Sequence, residues 1–108
     1  MVRFNNYAQF LEKRQDTPYY RWQVFVDEPD SVLDQIEQVE YTLDPTFPQP
    51  HPVRDDRGNK FALESAGWGE FTLLMKVKFR DGKVETVPYW LDLGKPWPST
   101  PGRQGPRG

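Results

Sequence analysis

Glu70-Phe71-Thr72-Leu73-Leu74-Met75-Lys76-Val77-Lys78-Phe79-Arg80 is the longest alternating run in the chain, with Phe71, Leu73, Met75, Val77 and Phe79 on one side and Glu70, Thr72, Leu74, Lys76 and Lys78 on the other. Side chains on a strand alternate between its two faces, so the run reads as a central strand with one face in a core. Asp81-Gly82 follows it. That pair signals a two-residue hairpin of type I′, which sends Val84 to Leu93 back antiparallel. Pro88 lacks an N–H and marks the return strand as an edge or a bulged strand.

Upstream, Phe61 to Ser65 reads as a short strand leading to Gly67-Trp68-Gly69. In Arg21-Trp22-Gln23-Val24-Phe25-Val26-Asp27 the residues Trp22, Val24 and Val26 share a face, and Trp22 there reads as core. Val39, Tyr41 and Leu43 resume the same period. Between these two runs, Asp30 or Ser31 caps a helical turn through Val32, Leu33 and Ile36. Val2 to Arg14 fits a helical stripe of Phe4, Tyr7, Phe10 and Leu11 as well as an irregular first strand, and we read it as strand. From Phe47 to Asn59, Pro48, Pro50, Pro52, a glycine and a cluster of charges exclude regular structure, leaving a long surface loop.

Eleven prolines and 15% aromatic residues suit short strands joined by rigid turns. The expected fold is all-β: an immunoglobulin-like antiparallel β-sandwich of about seven to eight strands, with a barrel as the alternative that turn spacing leaves open. A chain of 108 residues supports one core. The domain is expected to span residues 1–94. Lys95 to Gly108, rich in Pro, Gly and Arg, reads as a flexible tail or linker.

Fourteen basic and sixteen acidic residues give a net charge of −2 with no long block of either sign, which argues against direct nucleic-acid binding. There is no cysteine, hence no disulfide and no thiol chemistry. No apolar run is long enough to span a bilayer, so no membrane insertion is expected of this chain. The expected location is cytoplasmic, or nuclear in a eukaryote.

Chemistry of the catalytic kind has little footing. His51, the single histidine, sits between Pro50 and Pro52 with no nucleophile paired to it by spacing. Asp55-Asp56 lies between Arg54 and Arg57, and adjacent carboxylates in a loop seldom converge. Gly94-Lys95-Pro96 lacks the rest of a phosphate-binding loop. No enzyme activity, metal or cofactor is expected.

A tryptophan between glycines has both ring faces uncovered and a backbone that a ligand can approach. The run Gly67-Trp68-Gly69-Glu70-Phe71, together with Trp22-Gln23-Val24-Phe25-Val26 and Val39 through Leu43-Asp44-Pro45-Thr46-Phe47, resembles the YEATS domain family, prokaryotic type. The similarity runs from about Tyr20 to Phe79 and more weakly to Leu93. It implies a reader of acylated lysine, acetyl or crotonyl in type, held between the rings of Phe47 and Trp68. Thr46 stands in the place of the family's serine, whose hydroxyl bonds the amide, and the Trp68 N–H would donate to the acyl carbonyl. Gly67 and Gly69 keep the approach open, Phe71 closes the far side, and Tyr19 or Tyr20 supplies a third wall. Asp44 replaces the family's common histidine and reverses its hydrogen-bonding character. The implied partner is an acylated peptide or protein. The other reading is a structural or protein-interaction domain, fused to or recruited by a larger signalling or membrane-associated protein. Under that reading the same rings form a loop clasp without a pocket.

Overall fold

A computed structural model describes residues 1–98. Among the described residues seven strands form: β1 (Phe4–Arg14), β2 (Thr17–Val26), β3 (Ile36–Thr42), β4 (Val53–Arg54), β5 (Leu63–Gly67), β6 (Thr72–Phe79) and β7 (Val84–Trp90). Antiparallel pairing gathers them into one sheet in the order β1-β2-β5 and another in the order β4-β3-β6-β7. The fold is the immunoglobulin-like sandwich expected from the alternation. Trp22, Val24 and Val26 of β2 and Leu73, Met75 and Val77 of β6 are all fully buried at 0% exposure. They supply the inner faces of the two sheets. Asn6, the one buried polar side chain among the described residues, is satisfied in place. Its amide donates to the Asp92 carbonyl at 2.9 Å, and its oxygen accepts from the Tyr89 hydroxyl at 2.6 Å and the Asp92 N–H at 3.2 Å, pinning the end of β7 to β1.

Several local expectations are corrected. The β6–β7 hairpin has a three-residue loop: Gly82 N–H donates to the Phe79 carbonyl at 3.0 Å and Phe79 N–H to the Lys83 carbonyl at 2.8 Å. Only Gly82 has positive φ (93°), which is the type I turn plus G1 bulge and not the type I′ turn expected of Asp-Gly. The left-handed pair falls instead at Gln15 (φ 51°) and Asp16 (φ 68°), between the paired residues Arg14 and Thr17. Neither residue announces such a turn, because only the pairing of long flanking strands makes it worth the strain. The helical turn is Asp30–Leu33, capped by Pro29 with no side-chain bond, so neither Asp30 nor Ser31 is the cap.

The proline-rich loop also contains regular structure, the two residues of β4 and a 3-10 turn at Arg57–Asn59. A proline carbonyl can still accept, and those of Pro52 and Pro50 take the Tyr41 and Leu43 N–H groups at 2.9 and 2.8 Å, so the segment lines the edge of β3. The strand before the glycine turn starts at Leu63, not Phe61, because Lys60 and Phe61 are left-handed (φ 62° and 57°). At the C-terminal side, Lys95 to Trp97 are docked. The Ala8 N–H donates to the Lys95 carbonyl at 2.7 Å, Pro96 bridges Ala8, and the Arg21 guanidinium lies 4.2 Å over the Trp97 ring. This ordered contact runs past the boundary expected at Gly94, because Trp97 finds a cation–π partner on β2. The rest of the expected tail, residues 99–108, lies outside the described residues.

Phe61 combines a strained backbone with full burial, and its carbonyl accepts the buried Tyr41 hydroxyl at 2.6 Å. Burial raises the Tyr41 pKa, so the hydroxyl keeps its proton and stays a donor. Replacing Tyr41 with Phe leaves a buried carbonyl unpaired and is expected to cost about 1–3 kcal/mol. Thermal unfolding should then fall by roughly 4–8 °C for each kcal/mol.

Candidate functional site

Two segments meet at one end of the sandwich. Beyond β3, Asp44-Pro45-Thr46-Phe47 forms a β-turn in which Phe47 N–H donates to the Asp44 carbonyl at 3.0 Å. Proline in the second position and aspartate in the first suit this turn, since one arrives with its φ set and the other bonds the backbone two residues on. Asp44 Oδ1 accepts both the Thr46 N–H at 2.9 Å and the Thr46 hydroxyl at 2.8 Å. These bonds, the backbone one first, hold the Asp44 carboxyl below the usual carboxylate range. An ionised carboxylate only accepts, so the Thr46 hydroxyl hydrogen is committed and its oxygen keeps lone pairs for an incoming N–H. Asp44 thus orients the hydroxyl from the opposite side of the hydrogen-bonding ledger to a histidine donor.

The turn swings Phe47 over the core. Its ring lies 5.6 Å from that of Phe71, tilted by 42°, and both meet the buried Trp22 near right angles, at 6.4 and 6.1 Å. Separations of this kind are favourable for aromatic pairs. The Trp22 indole N–H has no hydrogen-bond partner among the described residues. Trp22 is the floor beneath both phenyl rings.

The second segment continues from β5. Asp27 N–H donates to the Arg3 carbonyl at 2.8 Å, and Val26 N–H donates to the Lys60 carbonyl at 3.0 Å. Odd residues of β2 therefore turn their backbone groups to β1 and even ones to β5. The β5 partners of those even residues, Leu63, Ser65 and Gly67, turn back toward β2. Across the trans Gly67–Trp68 peptide the N–H is antiparallel to the Gly67 carbonyl, so the Trp68 N–H points away from β2. The indole that follows is 64% exposed.

Between the segments lies a cavity of about 430 Å³ lined by Tyr19, Asp44, Thr46, Phe47, Pro48, Ala66, Gly67, Trp68, Gly69, Glu70 and Phe71. It contains every sequence-predicted site residue except Tyr20. Tyr20 shares its face of β2 with Trp22 and packs on the core and against Phe10, ring to ring at 5.9 Å, so Tyr19 alone reaches the cavity. Phe47 takes Phe71 and Trp22 as its ring partners, while Trp68 stands apart from that cluster. Neither glycine has positive φ, so left-handed backbone is not what calls for glycine at these two positions. A methyl at Gly67 would lie 3.8 Å from Phe47 Cζ, an ordinary contact, and one at Gly69 would meet nothing within 4 Å. What glycine contributes here is space over the rings.

Sequence reasoning missed Glu70. Its carboxylate accepts the Trp90 indole N–H at 3.2 Å and the Leu93 N–H at 2.9 Å, which ties the Trp68 turn to the end of β7. Its place in the Gly-Trp-Gly-Glu-Phe run was the available signal. A second cavity of about 420 Å³, lined by Arg14, Gln15, Thr17, Tyr19 and Trp68, shares Tyr19 and Trp68 with the first. Among the described residues no cluster of three metal-ligating side chains occurs. No helix there is long and apolar enough to cross a membrane.

The family model of the prokaryotic YEATS domain matches residues 20–92. The AF-9 homolog of Kluyveromyces lactis is 36% identical over 68 residues, which is 61% of this chain and 30% of that protein's own length. The chain thus spans less than a third of this curated relative. A solved Yaf9 YEATS domain recognising an H3K122suc peptide superposes with a TM-score of 0.70 at 26% identity, over 84% of this chain and 70% of the other. The Yaf9 YEATS domain bound to H3K27ac gives 0.66 at 28% identity, over 83% and 69%.

Because the Asp44 carboxyl is held low by Thr46, it stays ionised as pH falls below the ordinary carboxylate range, and the turn keeps its bonds until the pH passes the folded value. A side-chain NMR titration should place its midpoint below 3.8, with the Thr46 amide shift following the same curve. Thr46→Val should move that midpoint only part of the way up, since the backbone bond survives.

Proposed function

The chain belongs to the prokaryotic YEATS family, and from that premise we propose that it is a non-enzymatic reader module. Its ligand is an acylated lysine of acetyl or crotonyl type, or a similar planar amide, received between Phe47 and Trp68. The observation that carries this reading is one cavity with aromatic walls and two backbone- or turn-fixed polar groups of opposite character. The Thr46 oxygen, its hydrogen held by Asp44, accepts the amide N–H. The Trp68 N–H, turned away from β2, donates to the acyl carbonyl. A secondary amide offers one donor and one acceptor, and the cavity offers the complement.

Acylation removes the lysine charge, so a neutral flat group enters where an ammonium would lose its hydration. Two stacking contacts at about 0.5–1.5 kcal/mol each and two hydrogen bonds of similar size set the scale. Apolar burial of the acyl chain adds roughly 1–2 kcal/mol, and association costs offset part of the sum. The expected affinity is on the order of micromolar to millimolar. The Yaf9 YEATS domains solved with H3K122suc and H3K27ac support the ligand class.

Intrinsic fluorescence tests the reading, because Trp68 is exposed while Trp22 is buried. Crotonyl- and acetyl-lysine peptides should quench, the unmodified peptide should not, and Trp68→Ala and Phe47→Ala should each abolish the response. Thr46→Val should weaken binding by about twofold to tenfold. Absence of any response at millimolar peptide would sink the reading and favour an interaction domain without a pocket.

A further inference from the structure

The two edges of the three-stranded sheet are treated differently. On β1 the outward Ala8 N–H is taken by the Lys95 carbonyl, and Pro96 bridges the same residue. The chain covers that edge itself. On β5, the strand alternation that turns Leu63, Ser65 and Gly67 toward β2 leaves Glu64 and Ala66 with N–H and C=O directed outward. No hydrogen bond to those outward groups is formed among the described residues. β5 has no proline, and its register with β2 has no bulge. Proteins normally blunt an exposed edge by such devices.

This bare edge leads straight into the cavity. Gly67 is its last paired residue, and the next N–H, that of Trp68, points to the same open side. We propose that β5 is a docking edge on which the peptide flanking the acylated lysine adds as a strand, pairing with the backbone of Ala66 and Glu64. The inference rests on the reader function proposed above. The peptide leaves the edge at Gly67, where the missing side chain makes room for the acylated lysine to lean over the Phe47 ring. The Trp68 N–H is then left for the acyl carbonyl. Two residues of strand advance about 6.6 Å, a span that the four-carbon stem of lysine can follow. Asp44 and Glu70 are the charged residues lining the cavity, so a flank carrying Lys or Arg is favoured. Main-chain pairing supplies affinity in this mode without reading a particular sequence.

The test compares a blocked single crotonyl-lysine with a short crotonyl-lysine peptide that has basic flanking residues, titrated against the full chain by tryptophan fluorescence. The peptide should bind about tenfold tighter than the blocked residue. Glu64→Pro removes one outward N–H while sparing the β2 ladder, a placement that edge strands tolerate. It should erase most of the peptide's advantage and leave the blocked residue's affinity unchanged. A peptide N-methylated at the flanking backbone positions should lose the same advantage on the unaltered protein, which keeps the test independent of how the variant folds. Equal affinity of peptide and blocked residue, or full peptide affinity after both N-methylation and Glu64→Pro, overturns the edge while the reader function stands. A dimer dissociated by Glu64→Pro assigns the edge to a second copy and overturns the proposal. If neither ligand binds, the reader function fails and the docking edge falls with it.

Discussion

Trp22 is the contact on which the site depends. Its indole is fully buried at the start of the inner face of β2, and the phenyl rings of Phe47 and Phe71 both lean on it. Those two rings come from segments far apart in the chain, one just beyond β3 and one just before β6. They meet because a single large flat surface in the core offers each a place to bury. Removing that surface would uncouple the Asp44–Phe47 turn from the Trp68 turn. The cavity between them is thus an extension of core packing, and its outer rim is the solvent-facing indole of Trp68.

Polar groups then give this apolar recess a direction. Asp44 is committed to Thr46 twice, which fixes the turn and also decides which partner the Thr46 hydroxyl can serve. The carboxylate cannot donate, and so the hydroxyl must. The Trp68 N–H is oriented by other means, through peptide planarity at the end of the β2–β5 ladder. Glu70 holds the same turn from behind by accepting from Trp90 and Leu93. An acceptor and a donor thus stand on opposite segments, the complement of the one donor and one acceptor of a secondary amide.

Strain in the fold sits close to these features. Gln15 and Asp16 take left-handed backbone at the tip of the β1–β2 hairpin, whose flanking residues line the second cavity with Trp68. Lys60 and Phe61 do the same at the start of β5, where burial and the Tyr41 hydroxyl hold the kink. Each such residue costs roughly 1–2 kcal/mol. The second kink matters because it sets where β5 begins, and with that which of its residues face β2 and which face the open edge.

The sequence by itself determined an all-β fold with the sandwich as its leading form, the core faces of β2, β3 and β6, and most of the residues at the cavity. By contrast β1, whose inward residues are Phe4, Asn6 and Ala8, was legible only as a strand. Period-two burial along β2 and β6 is a local pattern, and the aromatic residues placed on turns were visible as exceptions to it. Tertiary structure alone decided that Tyr19 and not Tyr20 reaches the cavity, that Gly82 closes a bulged loop while Gln15-Asp16 makes the tight turn, that Glu70 is an anchor, and that Trp97 docks on β2. Each of these depends on a partner distant in sequence: a face shared with Trp22, a register between long strands, two donors near the end of β7, a guanidinium on the neighbouring strand. Local preference ranks conformations by small energies, and the contacts that override it exist only once the sheets have packed.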